Sequence, residues 1–359
     1  MLRQIKEIVR QRKPDLFLLC GDVFHTSQPS AYVQKMLVDA LTEIHNLHPE
    51  MTIVMTSGNH DSATRHEVFR SPWKEMRIHA VGMIDKENPD SHIIEVPGQG
   101  IVIAVPYVHE RNMPEGFIRQ LLDTANSNNT EGLPVILTAH TSVSGFDFKG
   151  HEDVYENSVG GIEYISLEEI GDGYDYLALG HIHHAQTIKA GRKHARYCGS
   201  PLPVSFDETY PHSVTWIEIE SHNSKPEISE IILDNIMPIF NLPTEGFMPW
   251  ENVREMLRSF PEDIKGYVRL NVEVEDFLPP GAHAEALEIV KYKKCKFCHI
   301  NTRRIQEKNN QPGLIPMHEF RQTEPLDLVK KYAEDSGISF DEELEDLFKE
   351  ALNRSKEII

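Results

Sequence analysis

The sequence predicts an α/β fold, a β-sandwich flanked by helices, and three observations carry that prediction. Segments with a helical apolar period alternate with short apolar runs, the pattern of strands buried between helical layers. Four of those runs stop abruptly, and at each stop stand residues of metal-ligating type. Near residue 237 the texture changes to a smaller helix–strand–helix–strand unit. A chain of 359 residues has the length for two or more domains, and 40% apolar with 26% charged residues is ordinary globular composition.

Taken in order, residues 1–10 put Leu2, Ile5, Ile8 and Val9 on one helical face, so a core helix is expected there rather than a targeting segment. The run at 15–20 is largely apolar, as a strand covered on both faces should be, and ends in Gly21-Asp22-Val23-Phe24-His25. Ser30 is suited to cap a helix reaching about residue 47. A strand at 52–55 delivers Thr56-Ser57-Gly58-Asn59-His60-Asp61-Ser62. Gly58 is expected to take backbone angles that other residues avoid, and so to throw Asn59 and His60 over the strand's C-terminal edge, where α/β sheets bind ligands. Strands at 78–82, 92–96 and 101–108 and a helix at 114–125 lead to a strand at 134–140 that ends on His140. A strand at 176–179 ends in Gly180-His181-Ile182-His183-His184, and β-rich runs at 213–220 and 227–233 close the sandwich. Beyond 237, helices at 250–259 and 282–291 alternate with strands at 266–275 and 296–303, with Trp250 and Tyr267 able to stack on bases but expected in the core. A polar stretch at 306–319 reads as a linker to acidic C-terminal helices, which gives domains at 1–235, 236–305 and 306–359.

Several function classes drop out. No apolar run has the length of a membrane span, and a cytoplasmic protein is expected. Four cysteines in so long a chain make no disulfide framework, and Cys295-Lys296-Phe297-Cys298-His299 fits a strand better than a haem or zinc motif. A net charge of −20 argues against binding nucleic acid through bulk charge, while leaving room for metal ions or a local basic surface. Lys189, Arg192, Lys193, His194 and Arg196 form such a cluster, either a solvated hairpin or a contact to a DNA backbone.

The four strand ends gather Asp22, Asn59, His140, His181 and His183 on one edge of the sheet. In an extended segment residues two apart point the same way, so His181 and His183 can converge on one centre. A carboxylate, imidazoles and an amide suit Mn²⁺, Fe²⁺ or Zn²⁺. Asp22 can bridge two ions about 4 Å apart, an arrangement that clamps a phosphate. His60 then faces the substrate as a transition-state stabiliser or proton donor.

The ordered set GDVFH, GNHD, a lone strand-end histidine and GHIH resembles the calcineurin-like metallophosphoesterases, and the resemblance covers essentially the whole chain. Within them, GDVFHTSQPS at 21–30, SGNHDS at 57–62 and YCGSPLPVSFDE at 197–208 resemble the DNA-nuclease branch. The resemblance implies a first metal on Asp22 and His183 and a second on Asp22, Asn59, His140 and His181, with Mn²⁺ at both. It implies His60 as the transition-state histidine and His25 as the second active-site histidine. It further implies a capping domain at 236–305, C-terminal helices that dock on the coiled-coil base of a partner ATPase, and a homodimer within a heterotetramer, with no membrane association. The implied activity is 3′–5′ exonucleolytic on duplex DNA and endonucleolytic on single strands and hairpins. One departure stands out, because the family's first strand ends in Asp-x-His. The one such triplet here, Asp90-Ser91-His92, follows polar residues and is expected in a loop. An N-terminally truncated nuclease domain with an incomplete first metal site and little Mn²⁺-dependent activity is therefore expected. The rival readings are a catalytically dead scaffold that binds DNA ends for the ATPase, and a cyclic-nucleotide or protein phosphatase of the same superfamily. His25 and the SPLPVSFDE segment speak against the phosphatase.

Overall fold

The computed structural model describes residues 1–109, 112–146, 165–188, 194–305 and, near the C-terminus, 326–327, 329–330, 333, 340 and 344–349. Leu16–Cys20 (β1), Thr52–Thr56 (β2) and Ile78–Val81 (β3) form a parallel three-stranded sheet in that order. A second sheet takes Ile93–Val96 (β4), Gly100–Val105 (β5), Val135–His140 (β6), Tyr176–Gly180 (β7), Gln186–Thr187 (β8) and Ala195–Tyr197 (β9), ordered β4-β5-β6-β7-β9-β8. Its centre is parallel and its two edge pairs antiparallel.

The two sheets pack face to face. Val54 and Val81 of the first share a buried cluster with Ile94, Val96, Val102 and Ala104 of the second. Cys20 packs with Tyr176 and Ala178, and the hairpin Ser213–Glu218 (β10) and Glu227–Ile232 (β11) joins that contact through Ile217 and Ile228. Helices Leu2–Arg12 (α1), Ala31–Leu47 (α2) and Ala63–Lys74 (α3) cover the first sheet's outer face, and Phe117–Asn128 (α4) with Leu167–Ile170 (α5) covers the second's. Ser30 caps α2 as expected, its side chain accepting from the Val33 amide. Helix α3 was not expected, because it carries Pro72 and buries only His66 and Trp73, too few for a visible period.

Residues 239–304 build around a core of their own. Ile239–Leu242 (β12), Met248–Pro249 (β13), Trp250–Ser259 (α6), Gly266–Val274 (β14), Ala282–Val290 (α7) and Cys295–Arg304 (β15) make a parallel sheet with two helices. The short β12 and β13 gave no periodic signal. Trp250 is in the core at 5% exposure, whereas Tyr267 is 37% exposed. It alternates with buried Val268, Leu270 and Val272 and so faces the other way. Cys295 and Cys298 both lie in β15, one buried and one exposed. The linker at 306–319 and Asp341, Glu342 and Glu343 fall outside the described residues, while Glu345 pairs with Lys330 and Lys349.

Candidate metal centre

Loops after β1 and β2 are locked together before any ligand is considered. Asp61, its side chain fully buried, accepts from the backbone amides of Val23 (3.1 Å), Phe24 (2.9 Å) and Gly58 (2.9 Å). In return the His60 amide donates to Asp22 Oδ1 at 2.9 Å. Gly58 matters for space rather than for its backbone angles: a Cβ there would lie 2.1 Å from Asp22 Oδ1 and 2.3 Å from its amide nitrogen. Gly180 plays the same part between the sheets, where a Cβ would lie 1.7 Å from the Cys20 carbonyl oxygen. Asp22 and His181, both candidate ligands, hold positive φ values of 50° and 88°. Non-glycine residues in that region cost free energy and cluster at functional sites.

The ends of β1, β2, β6 and β7 bring Asp22, His140 and His181 together, with one ligand atom of each within 4.8 Å of the others. Asn59 completes the group, its Oδ1 being 3.0 Å from His140 Nε2 and 3.1 Å from His181 Nδ1. Asp22 Oδ2 is 3.1 Å from His140 Nε2. His140 is 2% exposed, and its Nδ1 donates to the Cys20 carbonyl at 2.7 Å. In the neutral ring that bond leaves Nε2 as a lone pair aimed at two oxygen acceptors. Two states relieve that arrangement: a proton on Nε2, which hydrogen-bonds the ring to Asp22 as an imidazolium, or a metal ion among the three atoms. Ligand atoms about 2.1 Å from one ion and at right angles lie about 3 Å apart, so the donor set fits a divalent ion. Burial works against ionisation of Asp22. His140 and His60 outweigh it through hydrogen bonds and charge, so the carboxyl titrates below its usual range.

His183, two residues beyond His181, is not in that cluster of three and has a different partner. Its Nδ1 donates to Glu208 Oε1 at 2.8 Å, so Nε2 is the ring nitrogen that a metal ion would take. His60 Nδ1 donates to the His25 carbonyl at 3.2 Å, and the two rings stack with centroids 5.7 Å apart and planes 14° from parallel. Asp90-Ser91-His92 lies in a 3-10 turn. The buried His92 donates from Nδ1 to the Ala104 carbonyl at 2.8 Å and accepts at Nε2 from the Asp85 amide at 2.9 Å, so both nitrogens are spoken for.

Arg196 is a correction. It is 6% exposed, its guanidinium donates to Thr187, Thr215 and Glu230, and it ties β9 to the β10–β11 hairpin instead of facing a DNA backbone. Lys189, Arg192 and Lys193 lie outside the described residues. Asp61 and Glu208 were missed as functional residues. The signal for Asp61 was its place beside Asn59 and His60; for Glu208, 25 residues from His183, it was its place at the end of the run YCGSPLPVSFDE.

Residues 1–185 match the calcineurin-like phosphoesterase family. The chain belongs to that family. It is 30% identical over 276 residues to the SbcD subunit of nuclease SbcCD from Rhodobacter capsulatus, covering 69% of this chain and 66% of the relative. With the same-named protein of Bacillus subtilis it shares 27% identity over 98% of this chain and 90% of the relative. For that of Escherichia coli K12 the figures are 25%, 58% and 57%. The chain thus spans from just over half to nine-tenths of the length of these relatives. Among the described residues no helix is long and apolar enough to cross a membrane.

Proposed function

We propose that this chain is the nuclease subunit of an SbcCD-type complex, hydrolysing phosphodiester bonds of DNA with two divalent ions. The observation that carries the reading is the convergence of Asp22, His140 and His181 within 4.8 Å, with Asn59 Oδ1 at 3.0 Å and 3.1 Å from the two imidazoles. Asp22, Asn59, His140 and His181 would hold one ion, Asp22 and His183 the other, and Mn²⁺ is the ion we expect. When bound, the ions supply positive charge for a phosphate and make a water molecule more acidic. The Cys20 carbonyl fixes the ring of His140, and the His60 amide occupies Asp22 Oδ1 from the protein side. Because His60 Nδ1 already donates to the His25 carbonyl, its Nε2 carries a proton only in the imidazolium form. That form can donate to the oxygen that leaves the phosphorus, while the stacked His25 restricts the ring.

By likeness to the relatives, the partner is an SbcC-type ATPase and the assembly a homodimer within a heterotetramer. The activity would be 3′–5′ exonucleolytic on duplex DNA and endonucleolytic on single strands and hairpins, serving DNA repair, recombination and replication in the cytoplasm. Residues 236–305 would cap the nuclease face, and the C-terminal helices would dock on the ATPase. The test is Mn²⁺ binding and digestion of linear duplex and hairpin DNA by the intact chain, H140A and H60A. Loss of Mn²⁺ binding in H140A with retention in H60A is expected, together with loss in both of the hydrolysis the intact chain shows, which is expected to be weak with only Asp22 and His183 at the other ion. An intact chain that binds no Mn²⁺ sinks the proposal. A second reading, a DNA-end-binding scaffold, is favoured by one observation: His92 of the Asp-x-His triplet has both nitrogens engaged inside the protein. DNA-end binding without Mn²⁺-dependent hydrolysis would select it.

A further inference from the structure

Glu208 is a charged side chain sealed from solvent, 2% exposed as a residue. Its Oε1 accepts a hydrogen bond from His183 Nδ1 at 2.8 Å, and its Oε2 accepts from Ser200 Oγ and the Val204 amide, both at 3.2 Å. The segment that carries it also grips His183 by the main chain, since the Ser200 amide donates to the His183 carbonyl at 2.9 Å. Ring and backbone of one candidate ligand are therefore held by the single stretch 200–208.

That stretch is in turn anchored in the smaller unit. Arg269 on β14 donates to Asp207 Oδ1 at 2.7 Å and to Asn241 Oδ1 at 2.9 Å, and Asn241 on β12 donates to the Phe206 carbonyl at 2.8 Å. The Arg269 guanidinium lies over the Phe206 ring at 5.3 Å, and His299 meets the same ring edge-on. Arg269 is 9% exposed, so these contacts form in a site with little solvent. The chain runs without a break from residues clamped by the unit at 239–304 to the carboxylate that orients His183.

We propose that Glu208 is a positioning residue that sets the tautomer and aim of His183 toward its metal ion, and that Arg269 holds Glu208 in place through Asp207. The smaller unit thereby tunes the affinity of a metal site it does not touch. A carboxylate on the distal nitrogen of a metal-binding histidine fixes the ring and raises its basicity. Removing it costs about 10–100-fold in metal affinity. The proposal rests on the reading of His183 as a metal ligand.

The experiment is a Mn²⁺ titration of the full chain, followed by the electron paramagnetic resonance signal of free Mn²⁺, together with ¹⁵N NMR of histidine ring nitrogens in the metal-free protein. Glu208→Ala is expected to weaken one Mn²⁺ site by about 10–100-fold and to shift the His183 Nδ1–H signal. Glu208→Gln keeps an acceptor oxygen and should restore most of both. Arg269→Ala should weaken the same site less, and combined with Glu208→Ala should add no further loss, as expected of residues acting in series. A folded Glu208→Ala chain with intact Mn²⁺ affinity and an unmoved His183 signal overturns the proposal, as does additivity of the two substitutions. If Glu208→Ala does not fold, Asp207→Asn serves in its place and must move the His183 signal, or the link to Arg269 is wrong. If the intact chain binds no Mn²⁺, the ligand reading fails, and the His183 signal still decides whether Glu208 positions the ring.

Discussion

Two histidines of this chain begin alike and end differently. His92 and His140 are both almost fully buried, and both donate Nδ1–H to a backbone carbonyl, of Ala104 at 2.8 Å and Cys20 at 2.7 Å. At His92 the other nitrogen meets a donor, the Asp85 amide. At His140 it meets two acceptors, Asn59 Oδ1 and Asp22 Oδ2. The neutral first ring is satisfied by the protein; the second needs a further proton or a metal ion between Nε2 and its oxygen neighbours. His60 is a third case, with Nδ1 tied to a carbonyl and the ring exposed beside His25. Burial does not distinguish the rings of His92 and His140; the kind of atom facing Nε2 does.

The largest effect that would break this comparison is at His60. In H60Q, Mn²⁺-dependent hydrolysis should fall about 10²–10⁴-fold while Mn²⁺ affinity holds, measured by single-turnover digestion and titration side by side. A parallel loss of affinity would make His60 a ligand instead. Next comes H140A. With Mn²⁺ at about 100 times its Kd, the intact chain should gain about 2.7 kcal/mol of stability. H140A should gain none, whereas H92A should gain as much as the intact chain, read from thermal melts with and without the ion. H92A should instead be less stable without metal by about 2 kcal/mol, because the Asp85 amide and Ala104 carbonyl lose their partner.

The smallest effect is a pH slope. Burial lowers the proton affinity of His92, the hydrogen bond to Ala104 opposes that shift in part, and the net direction is down from the ordinary 6.5. Below about 6.5 the unfolded chain therefore holds a proton that the folded chain does not. Stability from this group is flat above that pH and falls as pH drops through it, by at most about 1.4 kcal/mol per unit. Denaturant melts from pH 8 to pH 5 should show the slope in the intact chain and lose it in H92Q; an equal slope in both would assign it elsewhere.

The apolar runs at β1, β2, β6 and β7 and the residues at their ends were legible because a doubly covered strand has a signature and a strand end is where such a signature stops. Helix α3 was not, since Pro72 and a narrow buried stripe blur its period. Gly58 was recognised for the wrong reason. Its neighbour in space, Asp22, comes from another strand, and sequence adjacency shows backbone freedom but not the 2.1 Å that a Cβ would leave.

What the sequence determined by itself was the set of candidate ligands and the order of the elements that carry them, because both follow from local periodicity and residue chemistry. Only the tertiary structure decided which nitrogen of each histidine is available, that Asp61 locks two loops, that Arg196 turns inward, and that Glu208 stands behind His183. The partners that decide these points are distant along the chain: Thr215 is 19 residues from Arg196, Val23 is 38 from Asp61, and Cys20 is 120 from His140. Hydrogen bonds of that reach are set by how sheets and loops pack, and packing has no local signature to read.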